Sequence, residues 1–296
     1  FSLIMGFPEI DVAGLMGLIA VFHLVESLLI YFAGYINATP VYFKDKKHGV
    51  IGGFSLQEFW PLPIMLLVII QAELSPQDVL SMPEWWPLIK PSIDLSKDTQ
   101  LIFMMFPAVA ALGYGDLALT KTPKARCRTS AFYLLLFSSI LLGLSVMASH
   151  YRAMAFIAAA FGPVAHEFLI IFGRNSERLN KPLYVPPEKG EMVLDVVKNS
   201  PAQKLGLKSG DIILSINGRE LIKPHELQDF LSTFPTYIWL EVKTQDGVFK
   251  NVDMNAYPNG INTLGIIPVP RSDTSKFLVE QEIGLWKKLK RYFKKP

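Results

Sequence analysis

The chain has 296 residues, 50% of them hydrophobic and 19% charged, with a formal net charge of +3. The charged share lies below the roughly one quarter usual for soluble domains, which argues against a wholly soluble protein. The single cysteine, Cys127, excludes an internal disulfide framework and suits a reducing compartment. Few charged residues lie within the apolar runs before residue 172 and many lie after it, so the chain has two parts of different solvent preference. It begins with Phe1 instead of Met, and is expected to be a fragment with earlier segments missing.

A helix needs about 20 mostly apolar residues to cross the hydrocarbon core of a bilayer. Five stretches qualify as expected spans: 12–36, 54–72, 101–119, 130–148 and 152–172. The first is apolar apart from His23 and Glu26. The second is crowded at its start by Glu58, Pro61 and Pro63. The third contains Pro107 and ends in Gly113-Tyr114-Gly115-Asp116. The fourth carries no charge, and the fifth is apolar except for His166 and Glu167. The clean spans lack a polar face, which argues for a polytopic membrane bundle over residues 1–172.

Loop charge orients this bundle. The connector 37–53 carries Lys44, Lys46 and Lys47, and the connector 120–129 holds Lys121, Lys124, Arg126 and Arg128 with no acidic residue. Between them, 73–100 is acidic and contains Trp85-Trp86, as suits the far interface. Five crossings with this alternation end inside, where Arg174, Arg178 and Lys181 follow. The remainder of the chain is expected to be cytoplasmic.

Ionisable groups within spans are costly and often mark function. His23 and Glu26 are three residues apart on one helical face, and His166-Glu167 lies in the last span; together with Asp116 they are candidates for an intramembrane polar cluster. Two readings stay open: a cluster that pairs helices, or a metal site, since His and carboxylate oxygens are reasonable zinc ligands. The second matters because intramembrane site-2 metalloproteases combine spans with a peptide-selecting domain around His-Glu-x-x-His. Here the run is His166-Glu167-Phe168-Leu169-Ile170, with Ile170 where the second His would stand. No Gly-x-Ser-x-Gly run, phosphate-binding loop or paired cysteine offers other chemistry. The residues therefore give no positive sign of catalysis, no cofactor is expected, and the protease is the alternative.

After Lys181 the pattern turns to short β-rich runs between turn signals. Strands are expected at Met192–Val197, Ile212–Ile216, Tyr237–Thr244 and Val248–Met254, a short helix opened by Ser200-Pro201-Ala202 and ending near Gly206, and a second helix at Pro224–Thr233. Asn217-Gly218 marks a tight turn. The run Asn199-Ser-Pro-Ala-Gln-Lys-Leu-Gly-Leu-Lys-Ser-Gly-Asp-Ile-Ile-Leu-Ser-Ile-Asn-Gly218 resembles a bacterial PDZ domain. The resemblance implies a small α+β fold of β-barrel or sandwich type over 182–270. Such domains bind partner peptides, internal or C-terminal, as a strand added to a sheet edge. By that analogy Gly190 lets the backbone approach a terminal carboxylate, Met192 and Leu194 line the groove from the strand, and His225 and Gln228 face it from the helix.

The tail, 271–296, is basic with interleaved aromatics, including Lys287, Lys288, Lys290 and Arg291. It fits an amphipathic segment on the anionic inner leaflet, where each basic residue contributes about 1 kcal/mol. The expected orientation places it at the bilayer and not on nucleic acid.

The stretch His23-Leu-Val-Glu26-Ser-Leu-Leu-Ile-Tyr31, the run Gly52-Gly-Phe-Ser-Leu-Gln-Glu-Phe-Trp-Pro-Leu-Pro63 and the C-terminal PDZ-like domain together resemble MinJ-type proteins of Gram-positive bacteria. That resemblance implies a non-enzymatic, multi-pass scaffold of the cell membrane in division-site placement. It would bridge a DivIVA-like polar protein and a MinD-like division inhibitor, so that septation occurs at midcell. The basic tail has no counterpart in that pattern. A third possibility, an adaptor for an envelope system, requires the opposite orientation.

Overall fold

The computed structural model describes residues 12–45, 47–72 and 100–271. The chain divides into two compact units. The first contains 1–37, 57–115 and 124–173, and the second contains 38–56, 116–123 and 174–296.

Three helices dominate the first unit: α1 (Val12–Ala33), α2 (Pro123–Ala148) and α3 (Arg152–Leu179). All three are long and apolar enough to cross a membrane. Small residues let them approach: Val12, Ala13, Ala148 and Ala155 form one buried cluster, and the Ser145 hydroxyl donates to the Ala13 carbonyl at 2.7 Å. A Cβ on Gly34 would lie 3.3 Å from the Cys127 sulfur, so glycine permits that contact between the end of α1 and α2. Helix α2 opens on Pro123, where a missing N–H costs nothing. Helix α3 carries Pro163 and continues past residue 172 to Leu179.

Two expected spans are not helices. Residues 54–72 fall in strand β2 (Gly49–Ala72) and 101–119 in strand β3 (Gln100–Ala118), neighbours in a three-stranded sheet of order β1-β2-β3, with β1 at Thr39–Asp45. The correction has a local cause. Pro61 and Pro63 would each remove a helical hydrogen bond and clash with the preceding turn, but in a strand two positions apart their missing N–H groups share one edge. The β1 pairing ends at Thr39↔Ser55, so beyond Ser55 one edge of β2 no longer has β1 beside it and can take the prolines. Burial alternates from Gln57 to Met65, the period of a strand.

The second unit joins the base of this sheet to a second one. Strands β4 (Glu191–Val196), β5 (Ile212–Ile216), β6 (Arg219–Glu220), β7 (Tyr237–Lys243), β8 (Phe249–Asn255) and β9 (Ile266–Pro268) pair in the order β8-β7-β5-β4-β9, with β6 on β5. Helices α4 (Pro201–Lys204) and α5 (Glu226–Leu231) complete it. These elements coincide with those expected to within two residues, apart from the short strands β6 and β9, which were not foreseen.

Local chemistry explains the path. Ser200 caps α4 by accepting from the Gln203 N–H, with Pro201 in the first turn. The buried Asp211 carboxylate accepts from the Lys208 N–H and the Lys250 ammonium, both at 3.1 Å. Asn217 and Gly218 both take positive φ, as the turn after β5 requires. The core gathers Val193, Leu207, Ile213, Ile216, Leu227, Ile238, Leu240 and Leu264, all nearly or fully buried.

Candidate functional site: a groove between the outer strand and helix α5

Strand β4 has β5 on one edge and β9 on the other. A peptide strand therefore has no edge of β4 to join, and the expectation built on Met192 and Leu194 is corrected. Met192 is buried on this interior strand, and the fully buried Leu194 packs toward Gly52, where an added Cβ would come within 2.8 Å of its Cδ1. Gly190 is not a free amide either, because its N–H donates to the Leu221 carbonyl at 2.8 Å. Its φ of 87° and the tight space around its Cα give it a structural reason to be glycine.

The outer strand at this end of the path is β9. Its ladder with β4 is framed by Val197 N–H to the Gly265 carbonyl and Val269 N–H to the Met192 carbonyl, both 2.9 Å. Because bonding direction alternates along a strand, Gly265, Ile267 and Val269 turn toward β4, and Ile266 and Pro268 turn their backbone groups outward. Gly265 takes φ 72°, and a Cβ there would meet the Ser200 Cβ at 2.3 Å, so only glycine lets the loop before β9 lie against α4.

Beside β9 and the start of α5 lies a groove of ≈ 170 Å³, whose walls include His225, Gln228, Leu221, Glu191, Pro268 and Arg271. His225 and Gln228 both line this cleft, and its other walls include Glu191 at the start of β4 and Pro268 at the end of β9. His225 holds φ 71°, a left-handed conformation costly for a residue with a Cβ, and its side chain makes no capping bond. Glu226, the first residue of α5, reaches back instead: its carboxylate accepts from the N–H groups of Ile222 and Lys223 in the preceding loop at 2.7 and 2.9 Å and is held below its ordinary range by those bonds. Burial pushes the Glu191 carboxyl upward, and the charges of Arg271 and His225 oppose that shift. The Arg271 guanidinium donates to the carbonyls of Ile222 and Leu221, anchoring the end of the β9 segment across the groove.

In the helical unit, His23 and Glu26 meet at 2.8 Å, the His23 and His166 rings stack at 5.1 Å, and Phe137 borders both. Glu167 forms no hydrogen bond or ion pair with this group among the described residues. Asp116, at the end of β3 in the other unit, accepts from the Leu117 N–H. No group of three or more His, Cys, Asp or Glu among the described residues is arranged to hold a metal ion. Lys287, Lys288, Lys290 and Arg291 lie outside the described residues.

A family model for the PDZ domain matches residues 192–244. The chain is 22% identical over 259 residues to the cell division topological determinant MinJ of Bacillus subtilis, covering 86% of this chain and 60% of that protein. It is 29% identical over 83 residues to the probable cell division topological determinant MinJ of Lacticaseibacillus paracasei, covering 28% of this chain and 23% of that one. A match to human serine protease HTRA3, 38% identical, spans 19% of this chain and 12% of the protease, and reflects the PDZ domain alone. The chain thus spans about three fifths of the Bacillus relative and a quarter or less of the other two. Three membrane-length helices thus precede a PDZ domain in a chain that is similar to MinJ over most of its length.

Proposed function

We propose that this chain is a non-enzymatic membrane scaffold that docks peptide segments or C-termini of partner proteins along β9, opposite α5, and acts in placing the division site. The observation that carries the reading is the groove itself: the outer strand β9 turns the backbone groups of Ile266 and Pro268 away from the sheet, and Pro268 shares a cleft with His225 and Gln228. Strand addition beside a helix supplies backbone hydrogen bonds and side-chain pockets together. The cell-division role rests on the likeness to MinJ, which covers most of this chain. By the same reading the partners are a DivIVA-like polar protein and a MinD-like inhibitor, and the basic tail rests on the anionic inner leaflet.

The protein is multi-pass with its PDZ domain cytoplasmic. Supporting this, the connectors 37–53 and 120–129 and the segment that follows residue 173 are rich in Lys and Arg, as loops on the cytoplasmic side are. Cys127 is the lone cysteine and fully buried, so Val248→Cys, at an exposed position, offers one accessible thiol. Labelling of that thiol from outside intact cells would overturn the orientation. The functional reading is tested by fluorescence localisation and pull-down with and without residues 182–270. Septal or polar enrichment and recovery of division proteins, both lost on deletion, are expected; uniform membrane staining with no division partner sinks the reading.

A further inference from the structure

The edge of β9 is shorter than its residue count implies. Ile266 and Pro268 are the residues whose backbone groups turn outward, since Ile267 and the flanking Gly265 and Val269 bond toward β4. Ile266 offers both an N–H and a carbonyl. Pro268 has no N–H, and its carbonyl already accepts from the Tyr42 hydroxyl at 2.8 Å.

Tyr42 is held in place by a separate sheet. It lies on β1 opposite Gly52 of β2, and the Gly52 N–H donates to the Tyr184 carbonyl at 2.8 Å. A Cβ on Gly52 would fall 2.8 Å from Leu194 and 3.1 Å from Val269, so the absence of a side chain lets β2 lie against β4 and the end of β9. The phenol is half-buried, and burial pushes its pKa above the ordinary phenol value.

We propose that Tyr42, by donating to the Pro268 carbonyl, sets how much peptide backbone the PDZ domain can pair, ending the added strand after the one residue opposite Ile266. This rests on the peptide-docking reading above and names its specificity determinant. An antiparallel peptide pairs one residue with Ile266 in both directions, and the residue two positions nearer its N-terminus meets Pro268. That second residue finds no donor, and the one acceptor it meets is already engaged by the Tyr42 hydroxyl. Selection of partners then falls on the peptide's last residues and their side chains in the groove, not on a long extended segment.

The test uses the full chain in nanodiscs of phosphatidylcholine and phosphatidylglycerol. A random heptapeptide library with free C-termini is selected on the wild type and on Tyr42→Phe. An enriched peptide is then remade with each backbone amide N-methylated in turn. In the wild type one amide, the partner of the Ile266 carbonyl, is sensitive, and methylation two residues upstream changes Kd less than about twofold. In Tyr42→Phe the upstream amide becomes sensitive as well, with a loss of roughly fivefold, and the unmethylated peptide binds tighter by a similar factor. Thermal melting of both proteins checks that the substitution leaves the fold intact; the wild-type scan stands without it. Two sensitive amides in the wild type, or the same pattern in both proteins, overturns the role of Tyr42 and leaves the groove standing. If neither protein enriches any peptide, the docking reading fails and this proposal fails with it.

Discussion

The Gly52 N–H donates to the Tyr184 carbonyl at 2.8 Å, and this bond joins strand β2 to the segment that leads into the PDZ domain. Around it, Tyr184 and Leu194 are fully buried, Val269 is 2% exposed, and the Phe54 ring meets Tyr184 edge-on at 5.5 Å. The base of the three-stranded sheet is therefore part of the same compact unit as the PDZ domain.

Gly52→Val is expected to destabilise this unit by about 1–3 kcal/mol, because the new side chain must displace Leu194 and Val269. A PDZ fragment of residues 182–270 is expected to melt below the same unit in the full chain, since it loses the cover over Tyr184 and Leu194. Melting curves followed by tryptophan fluorescence check both; an unchanged midpoint for either would show that the contact carries no stability.

Glu177 near the end of α3 accepts from the N–H groups of Leu119 and Thr120 and from the Thr120 hydroxyl, at 2.8, 2.8 and 3.0 Å. Glu177→Ala leaves two N–H groups at a buried turn without their acceptor, a loss of about 2–4 kcal/mol. Glu177→Gln keeps one acceptor oxygen and should lose less. Limited proteolysis near Thr120 reads the difference, and equal protection in all three proteins would refute the cap.

His225 is expected to show stability and binding moving in opposite directions. Glycine tolerates its positive φ, so His225→Gly should stabilise the domain by about 0.5–1 kcal/mol. The same change removes a groove wall and should weaken peptide binding several-fold, roughly the loss of one hydrogen bond or packing contact. Tighter binding by His225→Gly would remove this residue from the site.

Glu191 ties stability to pH. Its folded-state pKa is raised by burial, so the stability it contributes is full below the unfolded value and is lost as pH rises through the folded one. Glu191→Gln should therefore melt higher than wild type at about pH 7, with the difference closing toward about pH 4. A pH-independent difference would point to packing instead of charge.

Much of this fold is legible in local residue patterns. The Ser-Pro-Ala cap and the Asn217-Gly218 turn are each decided within a few residues, and both were readable. Helices α1, α2 and α3 follow from unbroken apolar length. Strands β2 and β3 were missed because hydropathy counts apolar residues and ignores their period; Pro61, Pro63 and the alternation from Gln57 to Met65 carried the correct signal. The groove was misplaced by one strand for a different reason. Strand β9 has three residues and pairs with Val193–Val196 from about seventy positions downstream, so no local window reveals which edge it covers. Gly265 between Leu264 and Ile266 was the available clue, a glycine opening a short β-branched run.

The Tyr42–Pro268 contact also bears on how many copies can crowd together. A scaffold gathered at one place in a membrane meets its own kind at high local density, and a bare strand edge would then zip domain to domain. Proline without a donor and a phenol seated on the next acceptor blunt that edge from both sides of the hydrogen bond. What remains open is one residue wide, enough for a ligand tail and too little for another sheet.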